Sequence, residues 1–283
     1  YDISQNLTLV GNVAYQQRLS LYENFQNITP EQSRSINYPL LQEGNSLNSE
    51  VLGELFARYN QIFGSHDIGA TFGTTVQYNT GSFMNMSGEG FSSVDKSQLV
   101  MSNADIINGN GGEHASTSLL SYFIRGTYNY EDKYYFSGIL RADGSSRFAE
   151  GNQWGYFPAI SAGWRISSES FMDNDLISNL KLNVGWGQLG NQNVAAFQYL
   201  NIYTKDQRYI INGENVTGTR LTSFANPDIT WETTTTINAL LELGLLNDKI
   251  NLNVAYFDRQ TTDMLIPSIK HFTSGVVNLP DAN

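Results

Sequence analysis

The sequence predicts an all-β fold, an antiparallel up-and-down β-barrel that crosses a membrane. Three observations support this prediction: apolar and polar residues alternate with a period of two, the alternating segments are long, and charged residues are scarce. Alternation alone fits a soluble antiparallel sheet with one wet face about equally well. Segment length, loop pattern and composition therefore decide between the two folds.

The clearest alternation runs from Ile68 to Tyr78. Successive side chains of a strand point to opposite faces of a sheet, so this segment predicts an amphipathic ribbon. A second example is the segment from Ile250 to Tyr256, in which Leu252 and Val254 alternate with asparagines.

About nine segments show this alternation, and most extend over ~10 residues or more. Strands of soluble proteins average about 5–6 residues, whereas a tilted strand needs about 9–11 to cross a bilayer. Segment length therefore favours the membrane fold. The segments lie near residues 6–20, 50–63, 68–80, 117–130, 134–145, 155–166, 180–190, 230–246 and 250–266.

The connections between these segments alternate in length, as expected for a barrel with short periplasmic turns and long extracellular loops. A soluble sandwich gives no reason for this segregation. Short turns are predicted at 65–67, 131–133 and 247–249, and a medium connection at 167–179. Long connections are predicted at 21–49, 81–116, 146–154 and 191–229.

The composition fits a barrel that is apolar outside and polar inside. Charged residues make up 15% of the 283 residues and apolar residues 40%, against about 25% charged in a typical soluble domain. The formal net charge of −11 argues against nucleic-acid binding, which needs concentrated Lys and Arg. The absence of cysteine excludes disulfides and thiolate metal sites. No apolar run approaches the ~20 residues of a membrane-spanning helix.

Charged residues inside the predicted strands lie opposite the apolar face by parity. Since a charge that faces lipid at mid-depth costs about 2–4 kcal/mol, this placement predicts that they face the barrel interior. Asp258 is an exception because it shares the parity of Tyr256. The predicted interior charges are Arg58, Arg125, Arg141, Arg165, Lys181, Glu232 and Glu242.

Residues 134–192 contain an ordered string of short motifs. R-x-DGSSRF runs from Arg141 to Phe148, N-x-WGYFP-x-x-S-x-GWR runs from Asn152 to Arg165, and ISNLKL and GNQ follow. This string resembles the barrel signature of the SusC/RagA family of TonB-dependent outer-membrane transporters. It covers about a fifth of the chain.

The resemblance implies a 22-stranded barrel with an N-terminal plug domain inside it. It also implies import of oligosaccharides or peptides across the outer membrane, energised by the TonB complex, with a SusD-like surface lipoprotein as partner. Such a protein has no cofactor and performs no covalent chemistry, so it is not an enzyme. About nine strands do not close this barrel, and residues 1–283 are expected to be its middle-to-late portion, without the plug.

Two roles are open for the signature residues: loop and girdle architecture, which we favour, or contact with substrate. The interior charges are expected to hold the plug or to line the path, and we favour the plug. The signature residues are Arg141, Asp143, Gly144, Ser145, Ser146, Arg147, Phe148, Trp154, Gly155, Tyr156, Phe157, Pro158, Gly163, Trp164 and Arg165.

No other pattern selects a chemical site. His66, His114 and His271 are far apart and not at metal-ligand spacing. The glycine-rich run 109–112 lacks the ending of a phosphate loop, and we interpret it as part of a flexible extracellular loop.

An acidic cluster and three loop aromatics are also interpreted as structural and not as binding sites. Glu169, Asp173 and Asp175 lack the spacing of a calcium loop and are interpreted as solvated. The aromatics Tyr203, Tyr209 and Trp154 of predicted long loops are candidates for stacking on sugars, but packing is favoured.

Two alternative functions stay open at this point. A passive pore or an adhesin would use the same kind of barrel without a plug. A secreted carbohydrate-binding β-sandwich would bury its apolar side chains between two sheets and would need no detergent.

Overall fold

A computed structural model of the protein describes residues 1–27, 39–172, 176–267 and 281–282. Helical structure in these ranges consists of three-residue 3-10 turns, and no helix among them is long and apolar enough to cross a membrane. The turns are Met101–Asn103, Ile166–Ser168 and Ser170–Met172.

Strands dominate the described residues. They are β1 (Leu7–Gln26), β2 (Leu40–Phe63), β3 (His66–Glu89), β4 (Ile106–Tyr130), β5 (Tyr134–Ser145), β6 (Trp154–Arg165), β7 (Ile177–Asn191), β8 (Ile202–Ile211), β9 (Glu214–Ser223), β10 (Glu232–Leu245), β11 (Ile250–Thr262), β12 (Ile266–Pro267) and β13 (Asp281–Ala282).

Nine of these strands form one sheet in the order β1-β2-β3-β4-β5-β6-β7-β10-β11. Neighbours in the sheet are therefore neighbours in the chain, apart from the step from β7 to β10. The pairs from β4 to β11 are antiparallel, as the prediction of an up-and-down arrangement requires.

Contacts divide the chain into two compact units. The first comprises 1–12, 53–76 and 118–283, and the second comprises 13–52 and 77–117. The second unit has its own small apolar cluster of Leu41, Phe91 and Leu99, which are at most 7% exposed, with Phe25, Met101 and Ala104 packed against it.

Two of the predicted short turns are confirmed, and the first is displaced. Residues 64–65 link β2 to β3, with a φ of 57° at Gly64, so His66 and Asp67 of the predicted turn belong to β3. Glu131 and Asp132, between β4 and β5, and Asn247 and Asp248, between β10 and β11, all have φ values between 52° and 59°. Asn and Asp tolerate this left-handed conformation better than most residues, because their short polar side chains can hydrogen-bond locally.

Two of the predicted long connections are much shorter than expected. β1 and β2 occupy all but residues 27–39 of the first, and β3 and β4 occupy all but residues 90–105 of the second. The strand extensions carry polar residues on both faces, so the alternation that marks a half-buried strand is lost. The glycine-rich run 109–112 lies within β4, and its interpretation as a loop is wrong.

The predicted connection 191–229 contains a β-hairpin that the sequence analysis missed. β8 and β9 pair across Asn212 and Gly213, whose φ values are 55° and 84°. Asn-Gly with two positive φ angles is the preferred turn of a two-residue hairpin. The Asn-Gly dipeptide was thus a signal from which this element could have been predicted.

Candidate functional site

The register of the first unit separates the sheet into two faces, because residues that pair directly across strands share a face. We define the apolar face as the one that carries Tyr122, Ile124, Tyr128, Phe136, Leu140, Ile160, Trp164, Leu182, Val184, Ile237, Leu241, Leu252, Val254 and Tyr256. We define the polar face as the one that carries Ser121, Phe123, Arg125, Tyr135, Arg141, Asp143, Ser161, Arg165, Lys181, Asn183, Glu232, Glu242, Asn251 and Asn253.

The apolar face has an aromatic belt near the short turns. Tyr128 lies over Phe136 at 6.3 Å between ring centroids, Tyr130 over Tyr134 at 6.3 Å, and His66 packs against Tyr130 at 4.8 Å. His66 also makes a 2.8 Å hydrogen bond with the Tyr128 hydroxyl. Aromatic side chains of this kind form the girdles of outer-membrane barrels.

A second set of aromatics lies at the other end of the same face. Tyr122 and Trp154 stack at 6.2 Å with an interplanar angle of 16°, and Tyr156 is 65% exposed. Trp154 begins β6 rather than lying in a loop, so its interpretation as a loop aromatic is wrong. Eight residues of β4 separate Tyr122 from Tyr130. At about 3.3 Å per residue and a tilt of about 40°, this separation corresponds to roughly 20 Å of height.

Aliphatic side chains fill the space between the two aromatic sets. Ile124 is 55% exposed, Ile160 62% and Val254 54%. In a β-sandwich such side chains would be buried against a second sheet. The exposed band, close to the ~25 Å apolar height of an outer-membrane barrel, instead suits contact with lipid.

Arginines of the polar face converge on one cavity. Arg58, Arg125 and Arg141 all line a space of about 500 Å³ together with Phe56 and Phe123. Arg125 pairs with Ile139, two residues from Arg141, so the two arginines are diagonal neighbours. Three charges that are distant in the sequence, each predicted to lie on the polar face, are brought together here.

A second group surrounds Tyr135, closer to the short turns. The Lys181 Nζ lies 4.4 Å from the centre of the Tyr135 ring and the Arg165 guanidinium lies 5.8 Å from it. Glu242 pairs directly with Lys181 and accepts a 3.2 Å hydrogen bond from Asn183. Cations over an aromatic face are attracted by its quadrupole, so Tyr135 holds two like charges near one another.

Glu232 lies apart from both groups, at the start of β10. Its carboxylate accepts hydrogen bonds from the Asn191 amide at 3.1 Å and from the Leu265 backbone N–H at 3.1 Å. It therefore connects the end of β7 with the segment that follows β11.

Part of the signature forms a hydrogen-bonded group on the polar face. The Arg141 Nε donates to both carboxylate oxygens of Asp143, at 2.7 and 3.0 Å, and its Nη2 donates to the Ser121 hydroxyl at 2.8 Å. Asp143 and Ser121 are 7% and 0% exposed. A buried carboxylate is stabilised when it accepts such charge-assisted bonds, so Arg141 has a structural role besides lining the cavity.

Two phenylalanines of the signature pack into a small apolar core at the long-loop end. Phe148 is 0% exposed and Phe157 6%, and both contact Trp231, at 5.2 and 5.3 Å between centroids. Val194 and Ile229 complete this core. We call these five residues the loop core: Phe148, Phe157, Val194, Ile229 and Trp231.

Hydrogen bonds join the loop core to the surrounding loops. The Arg147 guanidinium donates to the Val194 carbonyl, and Trp231 donates through Nε1 to the Gln153 carbonyl at 3.0 Å. Ser145, 1% exposed, accepts from the Arg147 backbone N–H at 3.1 Å, and the Ser146 hydroxyl accepts from the Ser118 N–H at 2.8 Å.

The signature glycines leave room for aromatic rings. A side chain at Gly155 or at Gly190 of the GNQ motif would overlap the Phe157 ring, and one at Gly144 would come within 2.9 Å of Trp154. Gly163 similarly faces Asn183. The geometry thus accounts for these positions by packing.

The last signature residues lie on β6. Pro158 pairs with Leu140 on the apolar face. The Tyr134 hydroxyl donates to the Glu169 carboxylate at 2.5 Å, and the Trp164 Nε1 donates to it at 3.0 Å. These two hydrogen bonds lower the pKa of the Glu169 carboxyl and fasten the connection between β6 and β7.

The remaining candidates do not assemble into a chemical site. Within the described ranges, no group of three or more His, Asp or Glu side chains is placed to hold a metal ion. Asp173, Asp175 and His271 lie outside the described residues. Tyr203 and Tyr209 lie on β8 of the missed hairpin and not in an irregular loop.

Comparison with known proteins identifies the family. The family model described as "TonB dependent receptor-like, beta-barrel" matches residues 1–279. The chain belongs to this family. The predicted fold class, an all-β transmembrane barrel, and the resemblance noted from the signature are thereby confirmed.

Individual relatives agree with the family. The chain is 40% identical over 152 residues to the TonB-dependent receptor SusC of Bacteroides thetaiotaomicron, an alignment that covers 52% of the chain and 15% of SusC. It is 33% identical over 172 residues to the TonB-dependent receptor P26 of Formosa agariphila, covering 59% of the chain and 17% of that protein. The chain thus spans a small part of the length of the relatives it matches.

Solved structures show the same fold. The RagAB peptide transporter matches with a TM-score of 0.84 at 23% sequence identity, over 99% of this chain and 31% of that chain. The RagAB peptide importer in its "closed-closed" state matches with a TM-score of 0.84 at 22% identity, over 100% and 31%. Both matches extend over nearly the whole chain, so these structures share its fold.

Proposed function

We propose that this chain forms part of the wall of an outer-membrane transporter that imports oligosaccharides or peptides. The observation that carries the proposal is the apolar band of the sheet, exposed between two aromatic sets, with the charged side chains on the opposite face. A wall between lipid and an aqueous lumen needs this division. Membership of the TonB-dependent receptor family supports active transport over a passive pore or an adhesin.

The transporter works with two partners, the TonB complex and a SusD-like surface lipoprotein. A plug domain of the same protein closes the lumen, the TonB complex moves the plug, and the lipoprotein captures the solute. The similarity to the TonB-dependent receptor SusC supports the dependence on TonB. The protein carries out no covalent chemistry, and its strands cross the membrane repeatedly.

The residues have different roles in this proposal. The polar-face charges Arg58, Arg125, Lys181, Glu232 and Glu242 face the lumen, where they hold the plug or line the path. The signature residues shape the extracellular end of the wall through the loop core. The support for the second role is that Phe148 and Phe157 are buried and touch Trp231.

Uptake measurements test the proposal. The full-length protein, produced with its surface lipoprotein in an outer membrane, is expected to accumulate labelled oligosaccharides or peptides only when TonB is active. Strains that lack TonB, and strains that carry an unrelated barrel, are the controls. Equal uptake with and without TonB would instead assign the protein to the passive pores, and extraction without detergent would overturn the barrel altogether.

A further inference from the structure

The arginine cavity of the polar face is built from four neighbouring strands. β2 contributes Phe56 and Arg58, β4 contributes Phe123 and Arg125, and β5 contributes Arg141. Gly73 of β3 lies beneath the two phenylalanines, since a side chain there would come within 2.5 Å of Phe56 and 2.6 Å of Phe123. The glycine therefore leaves room for the Phe123 ring beside the Cβ of Phe56.

The phenylalanines orient the arginines. The Arg58 guanidinium lies 5.7 Å from the centre of the Phe56 ring, and the Arg141 guanidinium lies 6.0 Å from the Phe123 ring. Stacking on a ring limits the freedom of a guanidinium while leaving its N–H donors available. Rings thus orient the donors of Arg58 and Arg141, while Arg125 lies diagonally beside Arg141.

The charges of the cavity are not balanced by the described residues. Arg141 is paired with Asp143. Arg58 and Arg125 make no ion pair with any residue of the described ranges. The cavity has one acidic residue, Glu54, whose carboxylate accepts a 3.3 Å hydrogen bond from Asn12. A chain with a formal net charge of −11 thus concentrates positive charge at this place.

The size of the cavity indicates the kind of anion. Its volume of about 500 Å³ lies within the range of about 300–1,000 Å³ that is typical of small-molecule sites. One water molecule takes about 30 Å³ of liquid, so the cavity has room for a carboxylate and for several further groups of the molecule that bears it. A single acidic side chain would leave most of this space unfilled.

We propose that this arginine cavity binds a carboxylate group of a transported solute. Arg58 and Arg125 supply the charge-assisted hydrogen bonds, and the planar fork of a guanidinium matches the two oxygens of a carboxylate. The carboxylate belongs either to a sugar acid or to a peptide. This inference rests on the proposed function, because it requires the polar face to line the path of the solute.

Calorimetric titration of the full-length protein tests the inference. The acidic probes are trigalacturonate and tri-aspartate, and their neutral counterparts are galactotriose and tri-asparagine. The variant is Arg58→Gln together with Arg125→Gln, which removes charge without emptying the cavity. Arg141 is kept because it pairs with Asp143. Arg18→Gln is the control, since Arg18 is an exposed arginine outside the cavity lining.

One acidic probe is expected to bind the wild-type protein, and the double variant is expected to raise its Kd by about 10-fold to 100-fold, as for the loss of hydrogen bonds to a charged group. Arg18→Gln is expected to leave the Kd unchanged, and the neutral probes are expected not to respond to the substitutions. The acidic probe that binds identifies the source of the carboxylate.

The inference is overturned if neither acidic probe binds the wild-type protein, or if the double substitution leaves the Kd of the bound probe unchanged. If that unchanged Kd is accompanied by a loosened plug, the arginines belong to the plug contact instead. TonB-dependent uptake by the wild-type protein is measured in parallel, so failure of this inference is distinguished from failure of the proposed function.

Discussion

Phe148 is a signature residue whose side chain is fully buried. It lies in the loop core, where its ring contacts that of Trp231 at 5.2 Å between centroids. Its neighbour Arg147 donates a hydrogen bond to the Val194 carbonyl, so the β5–β6 loop is fastened to the segment after β7. Residues that are far apart in the sequence thereby hold the long loops in one arrangement.

Replacing Phe148 by Ala is expected to lower the free energy of unfolding by about 3–5 kcal/mol, the usual cost of emptying a buried aromatic site. Phe171→Ala is the matched control, because Phe171 is 68% exposed, and it is expected to cost much less. Denaturant unfolding of the full-length protein in detergent measures both. Similar small losses for the two variants would show that the loop core does not stabilise the wall.

At the residue scale, the sequence correctly predicted the face of the sheet on which a side chain lies, because the parity of its position determines that face. Arg125, Arg141 and Lys181 lie on the polar face, as the alternation predicts. The ring contacts of Arg58 and Arg141 and the burial of Phe148 did not follow, because they depend on how separate strands and loops come together. Alternation specifies the face of a side chain and not its partners.

At the scale of the element, strand length was the least predictable property. The alternation marks the part of a strand that has one apolar face, as between Ile250 and Tyr256. β1 to β4 continue well beyond the alternating segments, where polar residues occupy both faces and no period is visible. The β8–β9 hairpin was missed for the same reason, although its Asn212-Gly213 turn is a recognisable signal.

Asp258 of β11 is the charge that the sequence analysis placed on the apolar face by parity, and the register confirms this position opposite Ile237. It lies eight residues after Ile250, the first residue of β11. At about 3.3 Å per residue and a tilt of about 40°, this distance raises it roughly 20 Å above the short turn. That height is near the upper edge of the apolar band, where a carboxylate costs little.

Val254 and Asn253 of β11 provide a matched test of the two faces. Val254 pairs with Leu241 on the apolar face, and Asn253 pairs with Glu242 on the polar face. Val254→Arg is expected to lower the free energy of unfolding by about 2–4 kcal/mol, because the charge faces lipid at mid-depth. Asn253→Arg is expected to cost less than about 1 kcal/mol, since it lies beside a carboxylate in water.

Unfolding in lipid vesicles, followed by the denaturant dependence of tryptophan fluorescence, measures both β11 variants. Equal losses for Val254→Arg and Asn253→Arg would mean that lipid does not contact the apolar face.

At the scale of the whole molecule, the sequence predicted the barrel architecture but not the solute. A low share of charge, long amphipathic segments and short turns are consequences of crossing a bilayer with strands, so they are present in the sequence itself. The family match over residues 1–279 agrees with that prediction. The solute does not follow in the same way, because it is selected by cavities such as that of Arg58 and Arg125, which arise only when strands assemble.

The central claim is that the Leu252 face of the sheet contacts lipid while the Asn253 face contacts an enclosed aqueous interior. The chain contains no cysteine, so nitroxide labels can be attached at single cysteines introduced in turn at 251, 252, 253 and 254 of the full-length protein in lipid vesicles. Labels at 252 and 254 are predicted to collide with dissolved oxygen, and labels at 251 and 253 with a water-soluble nickel chelate. Labels at 252 and 254 that are immobilised and shielded from both reagents would instead place these side chains between two stacked sheets and contradict the account.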